Sequence, residues 1–334
     1  MNRAVLARQH LLERSPAPLT DMLDTMACLQ AQYAPAMYIG LWSRMEALER
    51  TAVTDALERR TVAQGTLMRV TIHLASATDY WPISLAVRDA RRAAWLRFRR
   101  TATADEYAAA ADRLRERITA HGPITRTEME AFLGRELAIG AGLWVDLVRR
   151  PPSGTWERRR AGLYDLAETW LGPPPPHLTI DGAQEHLVRR YLGGFGPALP
   201  KEIADWAGLP LTAVRAVLDR LPDLRQFGTL VDLPGAPLPP PDTPAPVRFL
   251  PVWDASLLVH CRRAQLLRED HRPLVFNVKT PHSANTFLVD GVVAGTWRYD
   301  KGRLIIAPFE PLGTAAAKAV DDEAERLAAF HADR

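Results

Sequence analysis

Lysine is nearly missing from this 334-residue chain: Lys201, Lys279, Lys301 and Lys318 are its only four, and the remaining basic residues of the 42 are arginines. The N-terminal half therefore has no side-chain amine with which to form a Schiff base. Cysteine is equally scarce. Cys28 and Cys261 stand far apart, which argues against a disulfide framework or a cysteine-ligated zinc and fits a reducing compartment. No uncharged apolar run is long enough to cross a bilayer, and Arg3, Arg8, Glu13 and Arg14 interrupt any signal-peptide core. These features predict a cytosolic protein. Gly193-Gly194-Phe195-Gly196 is not followed by the lysine of a phosphate-binding loop, and no Gly-x-Ser-x-Gly elbow exists to anchor serine-hydrolase chemistry. His73, His177, His186, His260, His271 and His282 show no i, i+4 pairing suited to a metal, so neither a metal nor another cofactor is expected.

What is present in abundance is arginine, and it clusters. Arg88, Arg91, Arg92, Arg97, Arg99 and Arg100 fall in one segment, and Arg149, Arg150, Arg158, Arg159 and Arg160 in another. Acidic residues gather instead near the C-terminus, at Asp321, Asp322, Glu323 and Glu325, within a total of only +3. On charge alone, a basic surface for a polyanion and ordinary solvated helix faces fit equally.

Apolar spacing predicts a helix over 2–14, a second capped by Thr20 or Asp21 and running toward Gln30, a third opened by Pro35, and a fourth capped by Thr51. Leu67, Val70, Ile72 and Leu74 then fit short strands around a turn at Gly65. Helices followed by a β-hairpin are the order of a winged helix. The order returns from Thr125 and Glu128, which form a capping box, through GLWVDLVRR as a helix to a turn at Pro152-Ser153-Gly154. It returns again where Pro200 opens one helix, Gly208-Leu209-Pro210 makes a turn, and Leu211 to Leu221 make the next helix. Proline-rich breaks lie at 172–176 and 234–246. The C-terminal stretch predicts hairpin turns at Asp290-Gly291 and Asp300-Lys301-Gly302, then a helix from Thr314 to Ala332. The expected fold is α+β and mostly helical: three tandem winged-helix units, 1–115, 116–176 and 177–334, with a C-terminal β-meander and helix.

The most informative short segment is CLQAQYAP, in which Gln30 and Gln32 flank one small residue where a helix should end before Pro35. Spacing alone favours side chains that merely bond to nearby backbone. The sharper reading has both amides converging on one water molecule or sugar oxygen.

That segment does not stand alone. CLQAQYAP, YIGLWSR, LMRVTIHLAS, FLPVWDASLL and LVDGVVAGTWR occur in the order and spacing of the AlkZ/YcaQ family, bacterial winged-helix DNA glycosylases, and the resemblance runs from about Ala4 to Phe330. It implies three winged helices closing into a C-shaped, DNA-holding concavity, with Gln30 and Gln32 matching the family's Gln-x-Gln catalytic signature. That branch resembles enzymes of self-resistance in producers of DNA-alkylating natural products, some of which unhook interstrand crosslinks. The chain departs from its relatives at Val70, where a glycine often follows the arginine, and at Val292, where a basic residue is frequent.

The expected activity is monofunctional hydrolysis of the N-glycosidic bond of cationic N7-alkylated purines in double-stranded DNA, by a cytoplasmic monomer. Arg69, Thr71 and His73 would share one strand face toward DNA, with a buried, hydrogen-bonding His73 fitting equally. Asp254 either lines the cleft or makes a structural salt bridge. Trp297 and Arg298 follow the Asp290-Gly291 turn as further DNA contacts, although a tryptophan there more often anchors a core. A winged-helix transcription regulator explains the arginines and repeats without catalysis, and a sequestration protein is the third alternative.

Overall fold

The computed structural model describes residues 1–99, 101–159, 162–258, 262–276 and 283–332. Arg100, Arg160, His260, Cys261, Lys279 and His282 lie outside the described residues. The architecture is α+β and mostly helical, with three sheets among the described residues. No described helix is long and apolar enough to cross a membrane.

The largest sheet has six strands: β1 (Leu29–Gln30), β2 (Val62–Thr66), β3 (Ile72–Ser76), β4 (Ile124–Thr125), β5 (Leu147–Arg149) and β6 (Leu163–Leu166), in the order β1-β3-β2-β5-β6-β4. β2 is the hinge of this arrangement, because it pairs with β3 on one side and with β5 on the other. The sheet therefore runs continuously from the first unit expected from the sequence into the second, and residues 115 and 116 lie inside the helix Ala104–His121. That helix opens on a capping box between Thr103 and Glu106, and the Thr125–Glu128 box opens the helix Arg126–Leu133. GLWVDLVRR departs from its apolar spacing. Instead of a helix it forms a turn and β5, because Val148 buries fully where the strand pairs with β2 and β6.

Farther along, the helix Pro200–Ala207, a turn through Gly208 in the left-handed conformation, and the helix Leu211–Asp219 precede a two-stranded hairpin of β7 (Arg225–Phe227) and β8 (Leu230–Asp232). The C-terminal sheet joins β9 (Arg248–Leu250), β10 (Asn285–Val289), β11 (Val292–Asp300) and β12 (Arg303–Pro308) in the order β12-β11-β10-β9. Its turns fall at Asp290-Gly291 and Lys301-Gly302, and the helix Thr314–Ala332 follows.

Two hydrophobic cores tie the ends of the chain together. One packs Cys28, Ala63 and Tyr80 against Leu187, Tyr191 and Trp206, and the other packs Leu29, Tyr38 and Trp42 against Phe249, Trp297 and Phe330. Buried ion pairs cross the same seam. Arg8 reaches Asp232 at 2.6 Å and Arg14 reaches Glu323 at 2.5 Å. Arg44 and Asp254, both 0% exposed at their side chains, meet at 2.8 Å. Such pairs hold only when each lone pair and proton is matched. Asp254 accepts from both Arg44 nitrogens and from the Ser256 amide.

Candidate active site

The chain enters the Gln-x-Gln segment through an unusual turn. The helix Leu19–Thr25 stops five residues short of Gln30, and Ala27 and Cys28 then take left-handed backbone angles, φ 57° and 64°. Two non-glycine residues in that region in succession are strained, and such strain persists only where the surroundings enforce it. Here the enforcing contact is burial: Ala27 and Cys28 sit in the core, which also pushes the Cys28 thiol far above its ordinary pKa. The turn delivers Leu29 and Gln30 to the sheet edge as a strand rather than a helix end. Leu29 faces Leu74, Gln30 faces His73, and the Ala31 amide donates to the Ile72 carbonyl at 2.7 Å.

Period-two alternation does the rest. Leu29 and Ala31 are buried in one core, whereas Gln30 is half-buried and Gln32 exposed. Gln32 Oε1 accepts the Ile72 amide at 3.1 Å, which fixes the direction of its carboxamide and leaves the second carbonyl lone pair free. The Gln30 side chain makes no hydrogen bond among the described residues.

Beside Gln32 opens a cavity of about 310 Å³ between the six-stranded sheet and the helices Arg126–Leu133 and Arg135–Ala141. Its lining includes Gln64, Thr66, Val70, Trp95, Arg149 and Tyr164. Gln64 and Arg149 are direct partners across β2 and β5. Gln64 is fully buried; its Nε2 donates to the Gly154 carbonyl at 2.8 Å, while its Oε1 has no partner among the described residues. A Cβ at Gly154 would come within 2.7 Å of that oxygen, so glycine is required there. Arg149 Nε and Nη1 and Trp95 Nε1 are buried and likewise unpartnered among the described residues. Each such group costs about 1–3 kcal/mol relative to a satisfied one, and two of them are packed against glycines, Gln64 Oε1 on Gly154 and Trp95 Nε1 on Gly140. Sequence reading missed Gln64 and Trp95, because only the β2–β5 pairing and the cavity single them out.

The remaining candidates disperse. The residues 68–70 form a short 3₁₀ turn and β3 starts only at Ile72, so Gly65 lies within β2 and Arg69 and Thr71 are not strand residues. Arg69, at φ 53°, donates to the Trp206 carbonyl, and burial lowers its pKa to about 10. Thr71 Oγ1 donates to the Met68 carbonyl. His73 is 2% exposed, shares a hydrogen bond with the Thr71 carbonyl through Nδ1, and is held neutral by burial and by Arg69, with a pKa of about 3. Asp254 lies in the seam with Arg44. Trp297 is buried against Phe249 and donates Nε1 to the carbonyls of Leu250 and Thr286. Arg298 is exposed and pairs with Asp300 at 3.2 Å.

The first arginine cluster is also turned inward. Arg88 and Arg91 both bind Asp146, at 3.0 and 2.7 Å, and Arg92 donates to the carbonyls of Leu143 and Trp144. Burial alone would raise the Asp146 pKa, but Arg91, Ser84 and Arg88 together hold it below the ordinary range. Within the two clusters, Arg97, Arg158 and Arg159 are exposed. Among the described residues no cluster of three or more His, Cys, Asp or Glu is arranged to hold a metal ion.

Residues 23–330 match the family model described as DNA glycosylase AlkZ-like. The chain belongs to the AlkZ-like family. Among curated proteins it is 23% identical to the interstrand DNA cross-link repair glycosylase of Streptomyces sahachiroi, over 97% of this chain and 93% of that one. The fold is that of the solved Streptomyces sahachiroi DNA glycosylase AlkZ, with a TM-score of 0.78 at 20% identity, covering 100% of this chain and 96% of the other. AlkZ-like membership supports a DNA glycosylase role in general and DNA as the partner. The backbone at Val70 is left-handed, φ 59°, a conformation that suits glycine and strains a β-branched residue.

Proposed function

We propose that this protein is a monofunctional DNA glycosylase that hydrolyses the N-glycosidic bond of cationic N7-alkylated purines, acting as a cytoplasmic monomer on duplex DNA. The observation that carries this reading is the sheet-edge segment that holds Gln30 in a strand and Gln32 two residues on, where Gln32 lines a polar cavity. An N7-alkylated purine already bears a positive charge, so its glycosidic bond breaks toward a neutral base without an acid. What remains is to stabilise the sugar oxocarbenium ion and to place a water at C1′. Two carboxamide oxygens do both as dipoles and acceptors, that of Gln32 held in place by the Ile72 amide. A carboxylate would take the water's proton more readily, so neutral amides restrict the enzyme to lesions that leave unaided. Lysine is absent before Lys201, which favours water over an amine as the nucleophile.

Three winged-helix units closing around DNA complete the proposal, with Arg69, Thr71, His73, Asp254, Trp297 and Arg298 as the positions carried from the sequence. Arg298 is exposed and would contact DNA directly, whereas Arg69, His73, Asp254 and Trp297 have internal partners and would act as supports. The relative's name extends the substrates to interstrand cross-links, of which an N7-linked guanine would be one end. A labelled duplex carrying a single N7-alkylguanine, simple or bulky, tests the reading after alkali converts abasic sites to breaks. Lesion-dependent cleavage should fall at least about 100-fold in Gln30→Ala/Gln32→Ala. No cleavage above spontaneous depurination, with tight DNA binding intact, would return the protein to the regulator class.

A further inference from the structure

We propose that Arg159 anchors a backbone phosphate of the lesion-bearing strand and is set beside Gln32 by the hydroxyl of Tyr33. The inference rests on the glycosylase reading and names how that site registers its strand. Tyr33 follows Gln32 in the chain, and both are exposed, as are Arg158 and Arg159. Arg159 Nη1 donates to the Tyr33 hydroxyl at 3.4 Å, a contact that brings the loop after β5 to the Gln-x-Gln segment. Two more contacts hold the same guanidinium. Its Nε donates to the Trp156 carbonyl at 2.9 Å, and its central carbon lies 5.1 Å from the centroid of the Trp156 ring. Trp156 is buried, edge-on to Tyr38 and Phe330, and so forms a fixed wall.

What the fold does not supply is an anion. Exposed Arg268 and Arg298 each pair with an aspartate, whereas among the described residues Arg159 makes no ion pair. Glu157, exposed and two residues away, pairs with neither Arg158 nor Arg159. Arg50, buried over the same Trp156 ring at 4.9 Å, has no carboxylate partner among the described residues either. Burial first, and then these two cations, keep His331 neutral with a pKa of about 4. An exposed guanidinium held in one orientation, with N–H groups to spare, is a receptor for an oxyanion that accepts two parallel bonds. Duplex DNA offers such an anion at every nucleotide, and contacts to it set register rather than read sequence. Arg158 carries the same charge without the support, since its side chain makes no contact that orients it among the described residues. A phosphate held one tyrosine away from Gln32 limits how far the target sugar can drift from that carboxamide.

Fluorescence anisotropy of the full chain on a duplex with a single 7-methylguanine, over a salt series, tests the anchor without requiring turnover. Arg159→Gln should lower the slope of log affinity against log salt by about one phosphate contact, on damaged and undamaged duplex alike. Each phosphate flanking the lesion is then replaced in turn by an uncharged methylphosphonate. At least one replacement should weaken binding by the parent and by Arg158→Gln and have no effect on Arg159→Gln. Tyr33→Phe, which keeps the charge and loses the hydroxyl, should slow excision by about threefold to tenfold with the salt slope unchanged. An unchanged slope in Arg159→Gln, or the same methylphosphonate penalties in that variant as in the parent, would overturn the proposal. Excision at the parental rate in Tyr33→Phe would overturn the part given to the tyrosine. If Arg159→Gln fails to fold by circular dichroism, the parent decides alone, and the absence of any sensitive flanking phosphate overturns the anchor. A sensitive phosphate without excision would instead uphold the anchor and overturn the glycosylase reading.

Discussion

Among the places where arginine is held away from solvent, two treat it differently. In the seam between the chain's ends, Arg44 meets Asp254 with Nη1 and Nη2 matched to both carboxylate oxygens, and only its Nε lacks a partner among the described residues. In the cavity between β2 and β5, Arg149 keeps two buried N–H groups without partners among the described residues, next to the unmatched Gln64 oxygen. The first arrangement pairs its charge with a carboxylate, and the second leaves two N–H groups unmatched at a local cost.

The sharpest way to break this contrast is truncation on each side. Asp254→Ala strands a buried Arg44 charge and should lower stability by about 3–5 kcal/mol, read by denaturant unfolding. The same truncation at Arg149, which removes two unpartnered N–H groups, should not lower stability and should raise it by about 1 kcal/mol or more. A large loss at Arg149 would mean that the cavity is structural after all.

A second test concerns the strand behind Gln30. His73 is neutral and buried with a pKa of about 3, against 6.5 when unfolded. The unfolded chain therefore takes up a proton that the folded chain refuses as pH falls below 6.5. Stability from this group is complete above that value and is lost between pH 6.5 and about 3. Between pH 7 and 5, His73→Gln should gain on the parent by on the order of 2 kcal/mol, since glutamine does not titrate. A gap that does not change with pH would place His73 in contact with solvent.

The smallest effect is expected at Val70. Val70→Gly should raise stability by about 1 kcal/mol, because glycine relieves the left-handed strain at a modest entropic cost. A fall in melting temperature would show that the valine side chain on the cavity wall outweighs its backbone.

These contrasts also mark how far the sequence could be read. The elements with local chemistry were legible: the Thr125–Glu128 box, the Gly208 turn, both C-terminal hairpin turns and the helix Thr314–Ala332. Their signals are caps, glycines and short-range periodicity. What was not legible depends on partners distant in the chain. GLWVDLVRR became a strand because β2 lies beside it, and the arginines of the helix Ala77–Phe98 turned inward because Asp146 awaits them. Of the site, the glutamine pair was found by its motif, but as a helix end. The strained turn at Ala27 and Cys28 made it a strand edge, and only that places Gln32 on the cavity.

The central claim is that two neutral amides suffice because the lesion carries its own positive charge. Single-turnover excision rates for 7-methylguanine and for an uncharged lesion such as 1,N6-ethenoadenine, in the same duplex and with the same protein, test it directly. Rapid loss of the charged base with no measurable loss of the uncharged one is the predicted result. Equal rates would contradict the account and require an acid at the site that neither Gln30 nor Gln32 supplies.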